Sequence, residues 1–389
     1  MAGRKWKFID NALKNRRESG QFRKLTPVIP GKEPGTVIKN GQELINFCSN
    51  DYLGLSAHPY VVERSVEFLH KYGAGSTASR LISGTYDIHE QLEEKLASLF
   101  KKEAVLLFNS GYQLNTSVIA SLANRNSLIL ADRKVHNSIL QGALLSNAEL
   151  KRYDHNDHDH LRAMIEESGT TGYSRIIILS ETVFSMDGDR NDLDKLGAIA
   201  EEYDAILYSD DAHALGVLGD RGLGLNYEND RVDLSIGTFG KSFGAFGAFA
   251  SVSQSIKDYL INYCGGFIYT TSLPPSVIGA LDAASDLIPA MEEERKQLQN
   301  NIRYFRNELN ELGLSTVESD TQIIPVIIGM EKEALDLSVF LEENGFMITA
   351  IRPPTVERGS SRVRITLSAS HTEAQVEALL ASLKKWIRK

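Results

Sequence analysis

Lys241 stands in the stretch Gly237-Thr238-Phe239-Gly240-Lys241-Ser242-Phe243-Gly244, behind an apolar lead-in of Val232, Leu234 and Ile236. A lysine amine is strongly hydrated and protonated; a semi-apolar pocket lowers its pKa and makes it a nucleophile. Glycines on both sides let a flat ligand approach the backbone. Three kinds of chemistry fit. Gly240-Lys241-Ser242 matches the end of a phosphate-binding P-loop, but that motif needs another glycine where Ser235 stands. It also needs a following helix, and here Phe243, Phe246 and Phe249 are interrupted by glycine. A glycine-marked turn with a solvated lysine is a second reading. The third is a lysine forming a Schiff base with pyridoxal phosphate, PLP. The octapeptide alone leaves these open.

A PLP enzyme needs more than the lysine: a carboxylate for the pyridine nitrogen, a flat group against the ring, donors for the phosphate and an arginine for the substrate carboxylate. Each has a candidate. Asp210 follows an apolar strand, with His213 three residues on to bond the ring hydroxyl. His136 follows another strand and could stack on the ring. Ser110, Gly111 and Tyr112 open a helix, where free N–H groups and the helix dipole favour an anion, and Thr238 could join them. Arg364, on a late strand, could grip a carboxylate bidentately. Taken singly, each has a plainer explanation. His136 could begin a helix, Asp210 and His213 could cap a turn, and Arg364 could pair at the surface.

These residues need elements to position them. From residue 87 the pattern alternates: helices over 87–101, 113–123, 136–145, 157–167 and 192–203, and strands over 104–108, 127–130, 149–153, 176–179 and 205–209. Short apolar strands separated by helices predict a mostly parallel sheet of an α/β protein, with its ligand beyond the carboxyl ends of the strands. Before this region come a helix over 5–19, an arm over 27–35, a strand at 45–48, a helix over 59–71 and an irregular segment over 73–80. After residue 270, long helices reach about 312. Strands at 323–328, 347–351 and 363–367, with helices at 333–343 and 372–387, then predict a smaller α+β domain. The expected division is an N-terminal helix and arm (1–45), a large domain (46–285) and a small domain (286–389).

Composition narrows the class. The 389 residues carry a net charge of −9, against the basic footprint of a nucleic-acid binder. Two cysteines, Cys48 and Cys264, imply no disulfide framework and suit a reducing cytoplasm. The basic N-terminus lacks the apolar core of a signal peptide, and no apolar run approaches a membrane span. No metal is expected. Tyr153–His160 is rich in His and Asp, but its residues are adjacent and open a helix, where Asp and Asn cap. Asp187–Asn191 fails as a calcium loop because Asp192 and Ala198 occupy its sixth and twelfth positions.

Several segments, in order along nearly the whole chain, resemble the α-oxoamine synthase family of PLP fold type I. They are Asn50-Asp51-Tyr52-Leu53-Gly54-Leu55, Ser110-Gly111-Tyr112, Ser185-Met186-Asp187-Gly188-Asp189, Asp210-Asp211-Ala212-His213-Ala214-Leu215-Gly216, Thr238–Ser242 and Thr271-Ser272-Leu273-Pro274-Pro275. The resemblance implies a large domain with a seven-stranded, mostly parallel sheet, and PLP on Lys241. Lys241 would also remove the substrate's α-proton, and Ser185 would contact the cofactor. It implies a homodimer in which Thr270 and Thr271 reach the partner's phosphate. Asn50 and His136 would contact substrate. Ile351-Arg352-Pro353-Pro354-Thr355-Val356 resembles members that condense L-alanine with a pimeloyl thioester, of CoA or an acyl carrier protein, in biotin synthesis. Arg23, Arg352 and Thr355 would then contact substrate. Ala214-Leu215 departs from the Gly-Thr pair common there, which bears on the acyl chain. Condensation of glycine with an acetyl thioester is the alternative within the family, and a catalytically idle scaffold the alternative outside enzymes.

Overall fold

The computed structural model describes residues 4–227 and 229–388; residues 1–3 of the basic N-terminus lie outside the described residues. The chain divides into two units. The larger holds Asn50–Ser185 and Asp189–Gln297; the smaller holds the segment up to Ser49, Met186–Gly188 and the chain from Leu298 on.

The larger unit is built on a seven-stranded sheet. Its spatial order is Ala104–Phe108, Ala248–Val252, Leu234–Thr238, Ile206–Asp210, Arg175–Glu181, Ser127–Asp132 and Glu149–Tyr153. From Leu234–Thr238 to Glu149–Tyr153 the pairs are parallel, and Ala248–Val252 runs antiparallel to both of its neighbours. The inner parallel strands Ser127–Asp132 and Arg175–Glu181 carry apolar runs because both faces are covered, whereas the edge strand Glu149–Tyr153 does not. Successive residues feed opposite cores: Ile129, Ala131, Ile177 and Leu179 enter one, while Leu128, Leu130, Ile176 and Ile178 enter the other. The first core is filled by Leu114, Val118 and Ile119 of helix Gly111–Leu122 and Ile139 of helix Asn137–Leu145. The second is filled by Leu161 and Ile165 of helix His158–Ser168 and Leu196 and Ile199 of helix Leu193–Glu202. Side chains of Ser110, Asp157 and Asp192 cap three of these helices, and for that reason the starts fall within about two residues of expectation. Ala248–Val252 escaped sequence reading because glycines and aromatics before it mask its period.

In the smaller unit, Ser361–Thr366 is the centre of an antiparallel sheet between Ile323–Gly329 and Thr349–Ile351. The single strand expected at 347–351 is two: Phe346–Met347 pairs in parallel with Gln42–Asn46 instead. The arm expected at 27–35 carries a two-residue strand, Ile29–Pro30, against Thr36–Lys39. Thr36–Lys39 pairs in turn with Gln42–Asn46, so the N-terminal segment shares a four-stranded sheet with Phe346–Met347 rather than standing apart.

Candidate active site

The seat for an anion forms where the strand Ala104–Phe108 passes into the helix Gly111–Leu122. Ser110 Oγ accepts from the Gln113 N–H at 3.2 Å, and the N–H groups of Gly111 and Tyr112, in the first helical turn, have no intrahelical partner. A Cβ on Gly111 would sit 2.5 Å from Thr238 Cγ2, so the helix start and the strand end abut where only hydrogen fits. Thr238 Oγ1 is buried with no hydrogen-bond partner among the described residues. An orphaned hydroxyl beside free N–H groups and a positive helix end matches a phosphate. Asn109 Nδ2 donates to Thr270 Oγ1 (3.0 Å) and to the Thr271 carbonyl (2.8 Å), bringing both threonines next to this seat within one chain.

Lys241 lies on a tight turn. The Gly244 N–H donates to the Lys241 carbonyl at 2.8 Å and the Ala245 N–H to that of Phe239 at 3.1 Å. Phe239 packs against Phe243 and Phe249 with ring centroids 5.0 and 5.1 Å apart, an apolar base beneath the lysine. Ser242 Oγ donates to the Leu215 carbonyl at 2.5 Å. No helix follows Lys241, which removes the P-loop reading, and the side chain is half-buried rather than fully solvated. Leu215, whose type departs from the family pattern, is buried against Gly237 and Gly224.

Asp210 ends its strand inside a hydrogen-bond network. Its Oδ2 accepts from Asn115 Nδ2 at 2.8 Å and its Oδ1 from the Ala212 N–H at 3.0 Å. Asn115 Nδ2 also donates to Ser138 Oγ (2.9 Å), and Asn115 Oδ1 accepts from the Tyr208 hydroxyl (2.5 Å). Ser138 Oγ bonds His136 Nδ1 at 2.7 Å, and the His136 N–H donates to Glu181 Oε1. His213 Nδ1 bonds the Tyr52 hydroxyl at 2.6 Å, which donates to Asn50 Oδ1 at 3.2 Å.

Charge ties these groups together. Loss of hydration pulls His136 below its ordinary value; Asp210 opposes this and Lys241 adds to it. Burial, then repulsion from Asp210, pushes Glu181 well above the carboxylate range, with Lys241 and the His136 N–H opposing. Lys241 and Asp210 therefore act on the same two neighbours. Burial raises Asp211 to about 7 against its bonds from Thr182, Asn226 and Leu225, which mark it as an anchor for the turn after the strand. Ser185 is buried in the loop after Arg175–Glu181.

The remaining expected substrate residues lie in the smaller unit. Arg23 Nη2 donates to Thr355 Oγ1 at 3.0 Å, and Arg352 donates to the Gly20 carbonyl. With Phe22, Lys24 and Ile351 they line a cleft of about 550 Å³. Arg364 is buried, not at the surface as its type alone suggests, and donates to Thr366 Oγ1 at 2.9 Å. Sequence reasoning gave no role to Asn115, Tyr52 or Glu181. Glu181 ends a strand as Asp210 does and carried that signal; Asn115, in mid-helix, carried none. The Tyr153–His160 segment resolves into caps and ion pairs: Asp157 caps the His160 N–H at 2.8 Å, and Asp154 pairs with Arg133.

The Lys241 turn, the Asp210 carboxylate and the orphaned Thr238 hydroxyl fit PLP. The comparisons point the same way. The chain matches the aminotransferase class I and II family over residues 42–383. It is 43% identical over 376 residues to the 8-amino-7-oxononanoate synthase of Geotalea daltonii, covering 95% of each chain. It is 41% identical over 382 residues to that of Geobacter sulfurreducens, covering 97% of each. Among solved structures, SPT with a PLP internal aldimine superposes with a TM-score of 0.91 at 26% identity, over 99% of this chain and 98% of that one. The 8-amino-7-oxononanoate synthase of Francisella tularensis gives 0.77 at 28% identity, over 89% and 98%.

Proposed function

The chain belongs to the aminotransferase class I and II family, and on that premise we propose that it is a PLP-dependent acyltransferase of the 8-amino-7-oxononanoate synthase type. Its reaction condenses L-alanine with a pimeloyl thioester, giving 8-amino-7-oxononanoate, CO2 and free thiol, a step of biotin biosynthesis. The observation that carries the chemistry is Asp210, each of whose carboxyl oxygens accepts a hydrogen bond while it and Lys241 act on the same His136.

Bound PLP supplies an electron sink for the carbanion formed at the amino acid's α-carbon. Asp210 would keep the ring nitrogen protonated, its carboxyl group oriented by Asn115. The N–H groups of Gly111 and Tyr112, with the hydroxyls of Ser110 and Thr238, receive the phosphate. In the homodimer Thr270 and Thr271 would reach the phosphate held by the partner subunit, and Ser185 would be a further cofactor contact. His213 binds the ring hydroxyl, oriented by Tyr52. Lys241 Nζ would hold the cofactor, and its amine would be the base for the α-proton. His136 would cover the ring and contact substrate. Asn50 and Arg364 take the amino-acid carboxylate; Arg23, Arg352 and Thr355 take the acyl donor. Exposed Tyr112, Leu144, Leu145, Phe246 and Tyr269 on the larger unit support a homodimer. The two free cysteines suit the cytoplasm.

The deciding experiment offers L-alanine or glycine with pimeloyl-CoA, pimeloyl carrier protein or acetyl-CoA. Release of thiol and CO2 is expected to be fastest with L-alanine and a pimeloyl donor. Faster turnover of glycine with acetyl-CoA would replace this reading by a glycine C-acetyltransferase, and absence of a borohydride-bleached visible band would leave a non-enzyme. Lys241→Ala is expected to keep the fold by circular dichroism and to lower kcat at least about 10³-fold, within the range for loss of a positioned base.

A further inference from the structure

Glu181 closes the strand Arg175–Glu181 at 3% exposure, and its register partner on the adjacent parallel strand is Asp210. Residues paired in register project from the same face of a sheet, so two carboxyl groups stand side by side at its carboxyl edge. They are served unequally. Asp210 receives a donor on each oxygen, from Asn115 Nδ2 and the Ala212 N–H. Glu181 receives the single backbone N–H of His136, on Oε1. Neighbouring carboxylates removed from water do not both ionise, and the proton goes to the one with fewer donors. The charged and titratable groups that face Glu181 are Asp210 and Asp132 from the neighbouring strands, Lys241 from the glycine-rich turn, and His136. Burial and the two aspartates outweigh the lysine, in agreement with that assignment.

We propose that Glu181 is a positioning residue that stands as a neutral carboxylic acid and fixes the backbone of His136 at the start of helix Asn137–Leu145, leaving Asp210 as the anion that serves the ring nitrogen. The acid's carbonyl oxygen accepts from the His136 N–H, and its hydroxyl remains a donor. The proposal rests on the PLP reading for its purpose, and its test separates the two.

Infrared spectra of cofactor-free wild type near neutral pH are expected to show a protonated-carboxyl stretch that Glu181→Gln removes. With PLP bound, the pH midpoint of the visible band is expected to be the same in both proteins, because a neutral group replaces a neutral group. An ionised Glu181 beside Lys241 would instead make the substitution lower that midpoint by about one unit or more. Glu181→Ala, which strands the His136 N–H, is expected to lower kcat/KM roughly tenfold, and Glu181→Gln to restore most of the loss. A missing infrared band, a lowered midpoint, or a Glu181→Ala enzyme as active as wild type would each overturn the proposal. Failure to bind PLP would defeat the functional reading alone, since the infrared band decides the protonation state without cofactor.

Discussion

Asn115 sits in the middle of a helix, yet its amide serves Asp210, Ser138 and Tyr208 at once. Replacing it by leucine keeps the volume and removes one hydrogen bond from each of three polar partners. Asn115→Leu is expected to cost about 1–3 kcal/mol in urea unfolding and to weaken PLP binding at least tenfold, measured by absorbance titration. His155 makes a different residue-scale argument. Its Nδ1 meets Asp132 at 2.9 Å and its Nε2 meets Asp189 at 2.6 Å, so both nitrogens donate and the ring is an imidazolium. Burial alone would lower its pKa; the two carboxylates win and raise it to about 9. Because the folded value lies above the unfolded one, the stabilisation is complete below about pH 6.5 and is lost as pH rises through about 9. The stake is about 3 kcal/mol. Wild type is therefore expected to lose that much more stability than His155→Gln between pH 6 and pH 10, and parallel curves would refute the clamp.

At the scale of elements, the site depends on two loops meeting at the Lys241 turn. Gly244 has φ +64°, and a Cβ there would lie 2.3 Å from the Ser56 backbone nitrogen. Gly244→Ala combines a left-handed backbone cost of about 1–2 kcal/mol with a backbone collision. It is expected to lower stability by at least about 2 kcal/mol and to reduce PLP loading by displacing Lys241. Gly240, in the same turn, has nothing within 4 Å of its would-be Cβ, so Gly240→Ala is expected to change unfolding free energy by no more than about 0.5 kcal/mol. If the two glycines cost the same, the turn is not held against the Leu55–Ser56 backbone.

At the scale of the whole molecule, the smaller unit's N-terminal helix Lys7–Glu18 has no buried residue, and Phe8, Ile9 and Leu13 are exposed. Tyr112, Leu144, Leu145, Phe246 and Tyr269 of the larger unit are also exposed in a single chain. Sedimentation is expected to show a species of twice the 43.1 kDa chain mass. Tyr269→Asp, which places a charge on that surface, is expected to shift the species toward monomer. A wild-type monomer that turns over substrate would remove the homodimer from the functional reading. Among the described residues, no helix is long and apolar enough to cross a membrane.

By itself the sequence determined most of the periodic features: four of the five parallel strands, Leu234–Thr238 being interrupted by Ser235 and Gly237, the helices with polar caps, and the candidate lysine, aspartate and anion-seat residues that follow strand ends. Those follow from local rules, since continuous apolar runs and Ser, Asp or Gly at element boundaries encode them in neighbouring positions. Only the tertiary structure decided which polar residues serve the site. Asn115 is 95 residues from Asp210 and Tyr52 is 161 from His213, so no local pattern joins them. It also decided that Glu181 and Asp210 share an edge, because strand register, not sequence spacing, puts two carboxyl groups side by side.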